Sequence, residues 1–517
     1  MTDRWSEVSA APTLPGAHPD RPLVAADLFT EPDLAPPDLD ERLRQTYFWL
    51  VNHAVISPYY DLGFSRGRPV TFALGDAGAR LELPTDQSYS SNVLLPLLTF
   101  AVGGRCLLIG GPGRGKTTVA VLMGVLAGTS WDAVQQGQPQ ITVSDLVGTP
   151  LPRDLVEATS LDAVRIAWRR WLTLPVKVVD EYNRIPTKTQ SALLTMVAEG
   201  YVETYDQVLR TAPGPAPDAW FFTANDDGGG GTYPVIQALR DRIDVTVGTF
   251  GFNSRFLDEL VARVEAGERP EDHVPAELRF TDADRAALLA RIRAVPVPDD
   301  VRRRLEFFVA QFEFVQHGGR GFEYRTKDAV ATAGGDVAAV IAANAGADLT
   351  VDPGSQTLGG VSVRALQALI TYAKAMAFFR GSGGVTVDDV AAVLPFVLRG
   401  KLVPNRAHPR FETTSDAELA TDPVSWLADL FHQTQRAYDA EGRVHGDPVG
   451  RLLTEFGAGL SGLDATTVTA RLTAVEEAID GIARTGKLYG RDYDDLLTCK
   501  YLHQRYTNYL RWLESRR

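Results

Sequence analysis

The sequence predicts an α/β fold, in which a parallel sheet is covered by helices on both faces, followed by regions that are mainly helical. Three observations predict it. From about residue 90, short apolar segments typical of buried strands alternate with helical segments. A glycine-rich loop joins the first of these strands to the helix after it, and beyond about residue 253 apolar residues recur mainly at helical spacing. Apolar strands that alternate with helices indicate parallel pairing, because the helices cover both faces of the sheet.

Length, charge and cysteine content limit the class of protein. The chain has 517 residues and a net charge of −13, from 52 Lys and Arg against 65 Asp and Glu. This length predicts about three to four structural units, and 44% hydrophobic residues suffice for a packed core. The two cysteines, Cys106 and Cys499, are too far apart in sequence to indicate a disulfide scaffold, and they fit a reducing compartment. The acidic balance disfavours general binding to nucleic-acid backbones.

The sequence gives no sign of export or membrane insertion. The charged N-terminal segment is not followed by an apolar core, and no run of about 18 or more apolar residues occurs. We therefore expect a cytoplasmic protein. The scattered histidines form no H-x-x-x-H pair, so we expect no zinc site.

The N-terminal part of the chain divides into an arm and a small folded region. Residues 1–40 are rich in proline and aspartate, which predicts an extended arm. Apolar residues recur at helical spacing between Leu43 and Ala54. After them, Val70–Leu74 and Arg80–Leu83 flank the turn-like sequence GDAGA and predict a β-hairpin. Residues 41–89 thus form an N-terminal helix and hairpin.

The elements of the core follow in order. The first predicted helix contains Pro96, which a helix tolerates in its first turn. The predicted helices and strands are, in chain order, helix Val93–Val102, strand Arg105–Ile109, helix Thr117–Ala127, strand Val176–Val179 and strand Trp220–Thr223.

Helices dominate the rest of the chain. Two stretches interrupt them: Gly318–Gly360, whose glycine and alanine content predicts little packed structure, and Pro404–Pro423, which predicts a linker. The predicted helices are Asp282–Val295, Asp299–Val315, Ser362–Phe379, Val387–Leu398, Val468–Ala483 and Tyr493–Glu514.

The glycine-rich loop matches the phosphate-loop pattern G-x-x-x-x-G-K-[ST], between a predicted strand and a predicted helix. Its glycines let consecutive backbone N–H groups face a phosphate, and the helix N-terminus adds a favourable dipole. We expect Lys116 to reach the β- and γ-phosphates of ATP and the Thr117 hydroxyl to bind Mg²⁺. The predicted nucleotide contacts are Gly110, Gly111, Pro112, Gly113, Arg114, Gly115, Lys116, Thr117 and Thr118.

Polar side chains follow two of the apolar strands. Asp180 and Glu181 end the segment VKVVDE, where we expect Asp180 to hold the Mg²⁺ shell and Glu181 to polarise the attacking water. Asn225 follows FFTA and is positioned to orient the same water. Carboxyl ends of parallel strands meet at one edge of a sheet, where ligands bind. The alternatives are a solvated acidic strand end for the carboxylates and a turn-forming role for Asn225.

Five motifs, in this order, resemble those of the MoxR group of AAA+ ATPases: GGPGRGKTT, VVDEYNR, TKTQSALLTMVAEG, FFTANDDGGGGTYP and QALRDRID. The later segment from GGVSVRAL to VLRGKL is similar to the lid domain of that group. The resemblance covers about residues 90–255 and 280–402. It implies an α/β P-loop AAA+ core, a parallel sheet with helices on both faces, with an α-helical lid. The C-terminal α-helical extension lies outside it.

The resemblance implies a role for each matching residue. Lys116 and Thr117 occupy the Walker A positions, and Asp180 and Glu181 the Walker B positions. Asn225 occupies the position of sensor 1. ATP and Mg²⁺ are the implied cofactors.

Three arginines are assigned a role in ATP hydrolysis only by the resemblance. Without it, each arginine would be more typical of a surface ion pair. Arg242, in LRDRID, stands where the group has an arginine finger that reaches the γ-phosphate on a neighbouring subunit, and Arg240 is a second choice. Arg364, in GGVSVRAL, is similar to sensor 2 on the lid. A site split in this way implies a ring, expected to be a hexamer.

The resemblance also implies two inserts in the core. One is a β-hairpin before the sensor 1 strand, expected from Tyr201–Leu209 and Ala219–Phe222 around the tip Pro213–Pro217. The other includes Ile141–Val147. Both would face the ring's pore or a client, and an exposed loop is the alternative for each.

The chain departs from the group in several places. A glycine run, Gly228–Gly231, follows sensor 1 and predicts a mobile loop. The predicted organisation is a core at 90–255, a lid at 256–405 interrupted by an insertion at about 317–358, and a helical domain at 406–517.

These features favour a ring-forming, Mg²⁺-dependent ATPase that remodels or matures a protein client. The resemblance implies a chaperone-like role with a von Willebrand factor A-domain partner. One alternative is a scaffold protein in which ATP binding organises a larger complex or vesicle. A nucleic-acid motor is a third possibility, which the net charge disfavours.

Overall fold

A computed structural model describes residues 38–515, apart from residues 66, 76–78, 158, 161–162, 226–232, 234–235, 268, 313–326, 345–352, 413–420, 441–446 and 485–489. The predicted arm and the glycine run Gly228–Gly231 therefore lie wholly or almost wholly outside the described residues. The chain forms two compact units. The first comprises Met1–Val295 and Thr371–Gly383, and the second comprises Pro296–Ile370 and Gly384–Arg517.

In the described part of the chain, the strands belong to the first unit. In chain order they are β1 (Leu62–Gly63), β2 (Val70–Leu74), β3 (Ala79–Leu83), β4 (Ser88–Tyr89), β5 (Arg105–Ile109), β6 (Val134–Gln136), β7 (Gly148–Pro150), β8 (Ile166–Trp168), β9 (Val176–Asp180), β10 (Tyr201–Thr204), β11 (Gln207–Arg210), β12 (Ala219–Ala224) and β13 (Val245–Gly248).

Helices occur in both units. In the described residues they are α1 (Leu39–Trp49), α2 (Ser91–Val102), α3 (Lys116–Leu126), α4 (Val143–Val147), α5 (Pro152–Glu157), α6 (Thr187–Glu199), α7 (Gln237–Arg242), α8 (Leu257–Ala266), α9 (Asp282–Ala294), α10 (Asp299–Ala310), α11 (Lys327–Thr332), α12 (Val337–Asn344), α13 (Val363–Arg380), α14 (Val387–Leu398), α15 (Pro423–Ala440), α16 (Pro448–Gly457), α17 (Ala465–Ala483) and α18 (Arg491–Ser515). Within the described part of the chain, none of these helices combines the length and apolar character needed to cross a membrane.

A five-stranded sheet forms the centre of the first unit, with the strand order β13-β5-β12-β9-β6. Every pair of neighbours is parallel; for example, Phe221 lies opposite Cys106 on one side and Val178 on the other. The central strands are mainly apolar, since both faces of the sheet are buried. This confirms the predicted α/β class and brings the carboxyl ends of β5, β9 and β12 to one edge.

Helix α2 corrects one detail of the sequence prediction. It begins at Ser91, so Pro96 lies in the second turn rather than the first. The earlier start has a local cause: the Asp61 carboxylate accepts hydrogen bonds from the Ser91 N–H at 2.8 Å and from its hydroxyl at 2.6 Å. These bonds satisfy a donor that a helix N-terminus leaves unpaired.

The two hairpins of the first unit have different outcomes. The predicted pairing of Val70–Leu74 with the strand after it is confirmed by β2 and β3. The hairpin predicted before sensor 1 is wrong in its second strand, since β10 pairs with β11, whereas β12 belongs to the central sheet. Tyr205 and Asp206, both with positive φ, make its turn.

The second unit is helical, and two predictions for it are wrong. The stretch Gly318–Gly360 contains α11 and α12, and its Lys327 is buried, donating to the carbonyls of Gly354 and Thr357. The predicted linker after Pro404 is packed at its start, where Asn405 and His408 are buried. In both stretches hydrogen bonds between buried polar groups and backbone carbonyls hold the segment, and composition alone does not reveal such bonds.

The helices α16, α17 and α18 at the C-terminal end have a core of their own. The buried residues of this core are Val449, Val468, Val475, Cys499, Leu502 and Tyr506.

Candidate active site

The glycine-rich loop runs from the end of β5 to the start of α3, as the sequence predicts. Gly113 and Gly115 adopt φ values of 72° and 71°, which side chains disfavour. Gly110 is constrained by space, because a Cβ atom there would lie 2.1 Å from the Thr249 hydroxyl oxygen. The loop is thus fixed against the segment after β13, to which Arg114 also donates, at 3.2 Å to the Thr249 carbonyl.

Lys116, the first residue of α3, is held inside this loop. Its ammonium nitrogen donates to the carbonyls of Gly110 and Gly111, both at 2.7 Å, and to Asn225 Oδ1 at 3.0 Å. The residue is 7% exposed. A charged donor directed into a loop at a helix N-terminus suits a phosphate group, which accepts the same hydrogen bonds.

Asp180, at the end of β9, joins two neighbouring elements. Its Oδ1 accepts a hydrogen bond from the Thr117 hydroxyl at 2.7 Å and one from the Thr223 hydroxyl at 2.5 Å. Thr223 also accepts from the Glu181 N–H at 2.9 Å. It therefore bridges both acidic residues, a role that sequence reasoning missed because a threonine on a buried strand is typical of strand packing.

Glu181 is positioned by an unusual backbone and by two side-chain partners. Its φ of 52° lies in the left-handed region, which is uncommon for a residue with a side chain. Its carboxylate accepts from Asn225 Nδ2 at 2.9 Å and pairs with Arg184 Nε at 3.3 Å. Gly137, after β6, lies so close that a Cβ there would be 2.3 Å from the Glu181 carbonyl oxygen. Such backbone strain is often found at functional sites.

The structure thus brings five predicted residues into one connected cluster. Asn225 links Lys116 to Glu181, and Thr223 links Asp180 to Glu181. The hydroxyl of Thr117 and the carboxylate of Asp180 are oxygen ligands of the kind that Mg²⁺ prefers. The donor set fits that cation.

A cavity of about 670 Å³ lies beside the loop, within the range typical of small-molecule sites. Gly113 to Gly115 and Thr118 form one wall, with Val119 and Leu122 of α3. Across it, the rings of Tyr59 and Phe250 stack at 4.6 Å between centroids. The sequence gives no sign of this cavity, since these aromatic residues lie outside the phosphate-binding motifs, in segments that only the fold brings together.

The predicted arginines lie on helices that carry none of the five cluster residues. Arg242 ends α7, where its Nη1 donates to the Ala238 carbonyl at 3.0 Å, and Arg240 on the same helix is exposed. Arg364 is an exposed residue near the start of α13, in the second unit. Pro112, at the outside of the loop, is exposed as well.

Comparison with known proteins agrees with the geometry. The ATPase family associated with various cellular activities (AAA) matches residues 105–245, and the AAA lid domain matches residues 355–423. The chaperone MoxR1 of Mycobacterium tuberculosis is 26% identical over 300 residues, which cover 58% of this chain and 68% of that protein. Protein MoxR of Paracoccus denitrificans is 26% identical over 349 residues, covering 64% of this chain and 91% of that protein.

A crystal structure of a candidate ATPase from Cytophaga hutchinsonii aligns with a TM-score of 0.46 and 22% identity, over 65% of this chain and 89% of that one. The first AAA match contains the phosphate loop and the ends of β9 and β12, where the described cluster lies. Both curated relatives bear the MoxR name. The two family matches and the two MoxR relatives show that this chain is similar to the MoxR group of the AAA+ ATPases.

Proposed function

We propose that this chain is a Mg²⁺-dependent ATPase that works as a hexameric ring and uses ATP hydrolysis to remodel or mature a protein client. The observation that carries the proposal is the hydrogen-bonded cluster of Lys116, Thr117, Asp180, Glu181 and Asn225. The cluster combines a cation, oxygen ligands, a carboxylate base and an amide at one sheet edge. Hydrolysis of a phosphoanhydride requires this set.

Each residue then has a distinct task. Lys116 and the loop N–H groups bind the phosphates, while Thr117 and Asp180 would hold Mg²⁺, which neutralises charge on the phosphate oxygens. The Glu181 carboxylate accepts a proton from the attacking water, and Asn225 orients that water. The hydrogen bond from Asn225 to Glu181 holds both groups in place before the substrate binds.

The cavity beside the loop supports an adenine nucleotide as the substrate. Stacked Tyr59 and Phe250 offer aromatic surface for a base, next to the apolar side chains of α3. Arg114 and Arg263 line the same cavity and add positive charge for the phosphates.

Substitution of Glu181 tests the assignment. Glu181→Gln keeps the size and the hydrogen bond of the side chain but removes the base, so we expect steady-state phosphate release to fall by roughly 10²- to 10⁴-fold while ATP binding is retained. Glu199→Gln, at an exposed position at the end of α6, is the matched control and should leave both unchanged. Undiminished turnover in Glu181→Gln would refute the assignment.

The ring is supported by the resemblance to the MoxR group, in which an arginine at the position of Arg242 reaches the neighbouring subunit. Arg242→Ala chains should lack hydrolysis, and mixing them with Lys116→Ala chains should restore part of it. In mixed rings a Lys116→Ala subunit supplies the arginine to an intact site on its neighbour. If mixing restores nothing, the arginine acts within its own chain or not at all.

The client and the partner are proposed from net charge and from the family resemblance. The net charge of −13 supports a protein client over a nucleic acid, and the MoxR resemblance supports a von Willebrand factor A-domain partner. Turnover that rises on addition of such a partner is the expected result. Assembly that needs ATP but proceeds without turnover would indicate a scaffold instead.

A further inference from the structure

Two polar side chains in the wall of the cavity beside the phosphate loop have buried atoms without a hydrogen-bond partner. Ser90 and Asn92 both line this cavity. The Ser90 hydroxyl oxygen and Asn92 Oδ1 are buried, and neither forms a hydrogen bond within the described part of the chain. Ser90 as a whole is only 1% exposed. Because an unpaired buried polar atom is costly, two of them in one cavity wall indicate that a ligand supplies their partners.

The Ser90 hydroxyl is free at a position where a serine side chain usually has a partner. Ser90 immediately precedes α2, where its hydroxyl would commonly accept from an N–H of the first turn. Here its side chain makes no such bond, and its carbonyl accepts from the N–H groups of Val93 and Leu94 at 3.2 and 2.8 Å instead. The Ser91 N–H is bound by Asp61. The Ser90 hydroxyl is therefore available to a molecule in the cavity.

The charged residues in the described lining of the cavity are all arginines. Arg114, Arg263 and Arg269 line it, and none of the described lining residues is acidic. The pairing edge of guanine presents two neighbouring donors, N1–H and the N2 amino group. A carboxylate matches such a pair best, because both of its oxygens accept. The described lining thus lacks the group that guanine requires.

Adenine suits the two unpartnered side chains better. Its N6 amino group is a donor that lies beside a ring-nitrogen acceptor. A carboxamide presents an acceptor beside a donor, and asparagine pairs with adenine in this way in other settings. Asn92 offers that pattern, and the Ser90 hydroxyl can donate to a ring nitrogen. The rings of Tyr59 and Phe250 line the same cavity and give the base an aromatic surface on which to stack.

We propose that Asn92 accepts a hydrogen bond from the N6 amino group of adenine, that Ser90 donates its hydroxyl to a ring nitrogen of the same base, and that the pair selects ATP over GTP. This inference rests on the proposed function, since it assigns base recognition to the cavity beside the phosphate loop. Ser90 and Asn92 lie at the start of α2, outside the five-residue cluster at the sheet edge. They therefore determine which nucleotide binds, whereas the cluster acts on the phosphates.

Equilibrium binding of nucleoside diphosphates to the full-length chain tests the inference, because diphosphates bind without turnover. With Mg²⁺ present, a fluorescent ADP is displaced by ADP, by GDP, or by purine riboside diphosphate, which lacks the N6 amino group. We expect the unsubstituted chain to bind ADP about tenfold or more tightly than either of the other two. Equal affinity for ADP and GDP overturns the inference but leaves the ATPase assignment intact. If no nucleotide binds, the inference and the proposed function both fail.

Alanine substitutions separate the two hydrogen bonds. Asn92→Ala should bind ADP and purine riboside diphosphate almost equally, because the partner of the amino group is gone. Ser90→Ala should weaken both by a similar factor, roughly three- to tenfold, since both compounds keep the ring nitrogens. Asn508→Ala, at an exposed position of α18, is the matched control and should bind as the unsubstituted chain does. A tenfold preference for ADP that persists in Asn92→Ala, or unchanged affinity in Ser90→Ala, contradicts the assignment.

Asn92→Asp distinguishes base recognition from general damage to the fold. Its carboxylate accepts from both guanine donors, whereas it cannot donate to an adenine ring nitrogen. We expect the preference for ADP over GDP to fall by about tenfold or more, and the phosphate contacts, which both nucleotides share, cancel in this ratio. A negative charge in the first turn of α2 is favourable to the helix, so the chain should fold. An unchanged preference in the Asn92→Asp chain would overturn the inference.

Discussion

The sheet edge at the phosphate loop and the β2–β3 ribbon differ in where their side chains find partners. At the sheet edge, Lys116, Asp180 and Glu181 are all hydrogen-bonded to groups of the same chain. On the ribbon, apolar side chains such as Phe72 and Leu81 face solvent. The difference teaches that the cluster at the sheet edge is held by bonds within one chain, whereas the apolar face of the ribbon is left uncovered by the described residues.

The largest stability effect is expected inside the core of the first unit. Leu98, on α2, is fully buried, so Leu98→Ala should lower the free energy of unfolding by about 2–5 kcal/mol. Urea denaturation followed by circular dichroism measures it. A loss as small as that of a surface substitution would mean that this core is loosely packed.

The hydroxyl of Thr223 bridges the two acidic residues at the sheet edge, and its removal tests whether this bridge matters for turnover. Thr223→Val keeps the shape of the side chain but removes the hydrogen bonds to Asp180 and from Glu181. We expect ATP turnover to fall roughly tenfold, since an unpaired buried group costs about 1–3 kcal/mol. Thr246→Val, on β13 of the same sheet, is the control, and an equal fall there would assign the effect to the sheet rather than to the bridge.

A buried tyrosine in the first unit predicts how stability depends on alkaline pH. Burial raises the pKa of Tyr372 well above its usual value, and its hydroxyl pairs with the Thr99 hydroxyl at 2.8 Å. A raised pKa in the folded state stabilises the fold fully below about pH 10, and that contribution is lost as the pH rises further.

Tyr372→Phe should therefore cost about 1 kcal/mol at neutral pH and make the loss of stability above about pH 10 less steep. Tyr60→Phe, at an exposed position, is the control. Denaturation midpoints at several pH values measure both, and identical slopes in the two variants would contradict the assignment.

The smallest effect is expected on the ribbon. Leu81→Ala should change the free energy of unfolding of the single chain by less than about 0.5 kcal/mol, because the side chain is exposed. A loss near that of Leu98→Ala would show that the ribbon face is covered within its own chain, and the comparison between the two regions would fail.

The sequence predicts the core well because its signals are strong and local. Mainly apolar runs mark β5, β9 and β12, and the phosphate loop marks the start of α3. Long-range contacts explain what was missed. Thr223 gains its role only when β12 and β9 pair, and the stacking of Tyr59 on Phe250 joins segments far apart in the chain.

In two other regions, composition led to wrong structural predictions. The hairpin before sensor 1 turns at Tyr205 and Asp206. The turn was expected at a proline-rich segment instead, because proline and glycine are the usual turn signals. The stretch containing Lys327 was expected to be poorly packed, yet a buried ammonium bound to carbonyl oxygens holds it. Neither feature depends on apolar periodicity, which is the signal that sequence reading uses first.

The dependence of ATP turnover on protein concentration tests the central claim most directly. If the binding cluster is complete in one chain but hydrolysis needs a neighbour's arginine, then ATP bound per chain stays constant while turnover per chain rises steeply as rings form. Sedimentation on the same samples gives the fraction assembled. Equal turnover per chain in samples of single chains and in samples of rings would contradict the account.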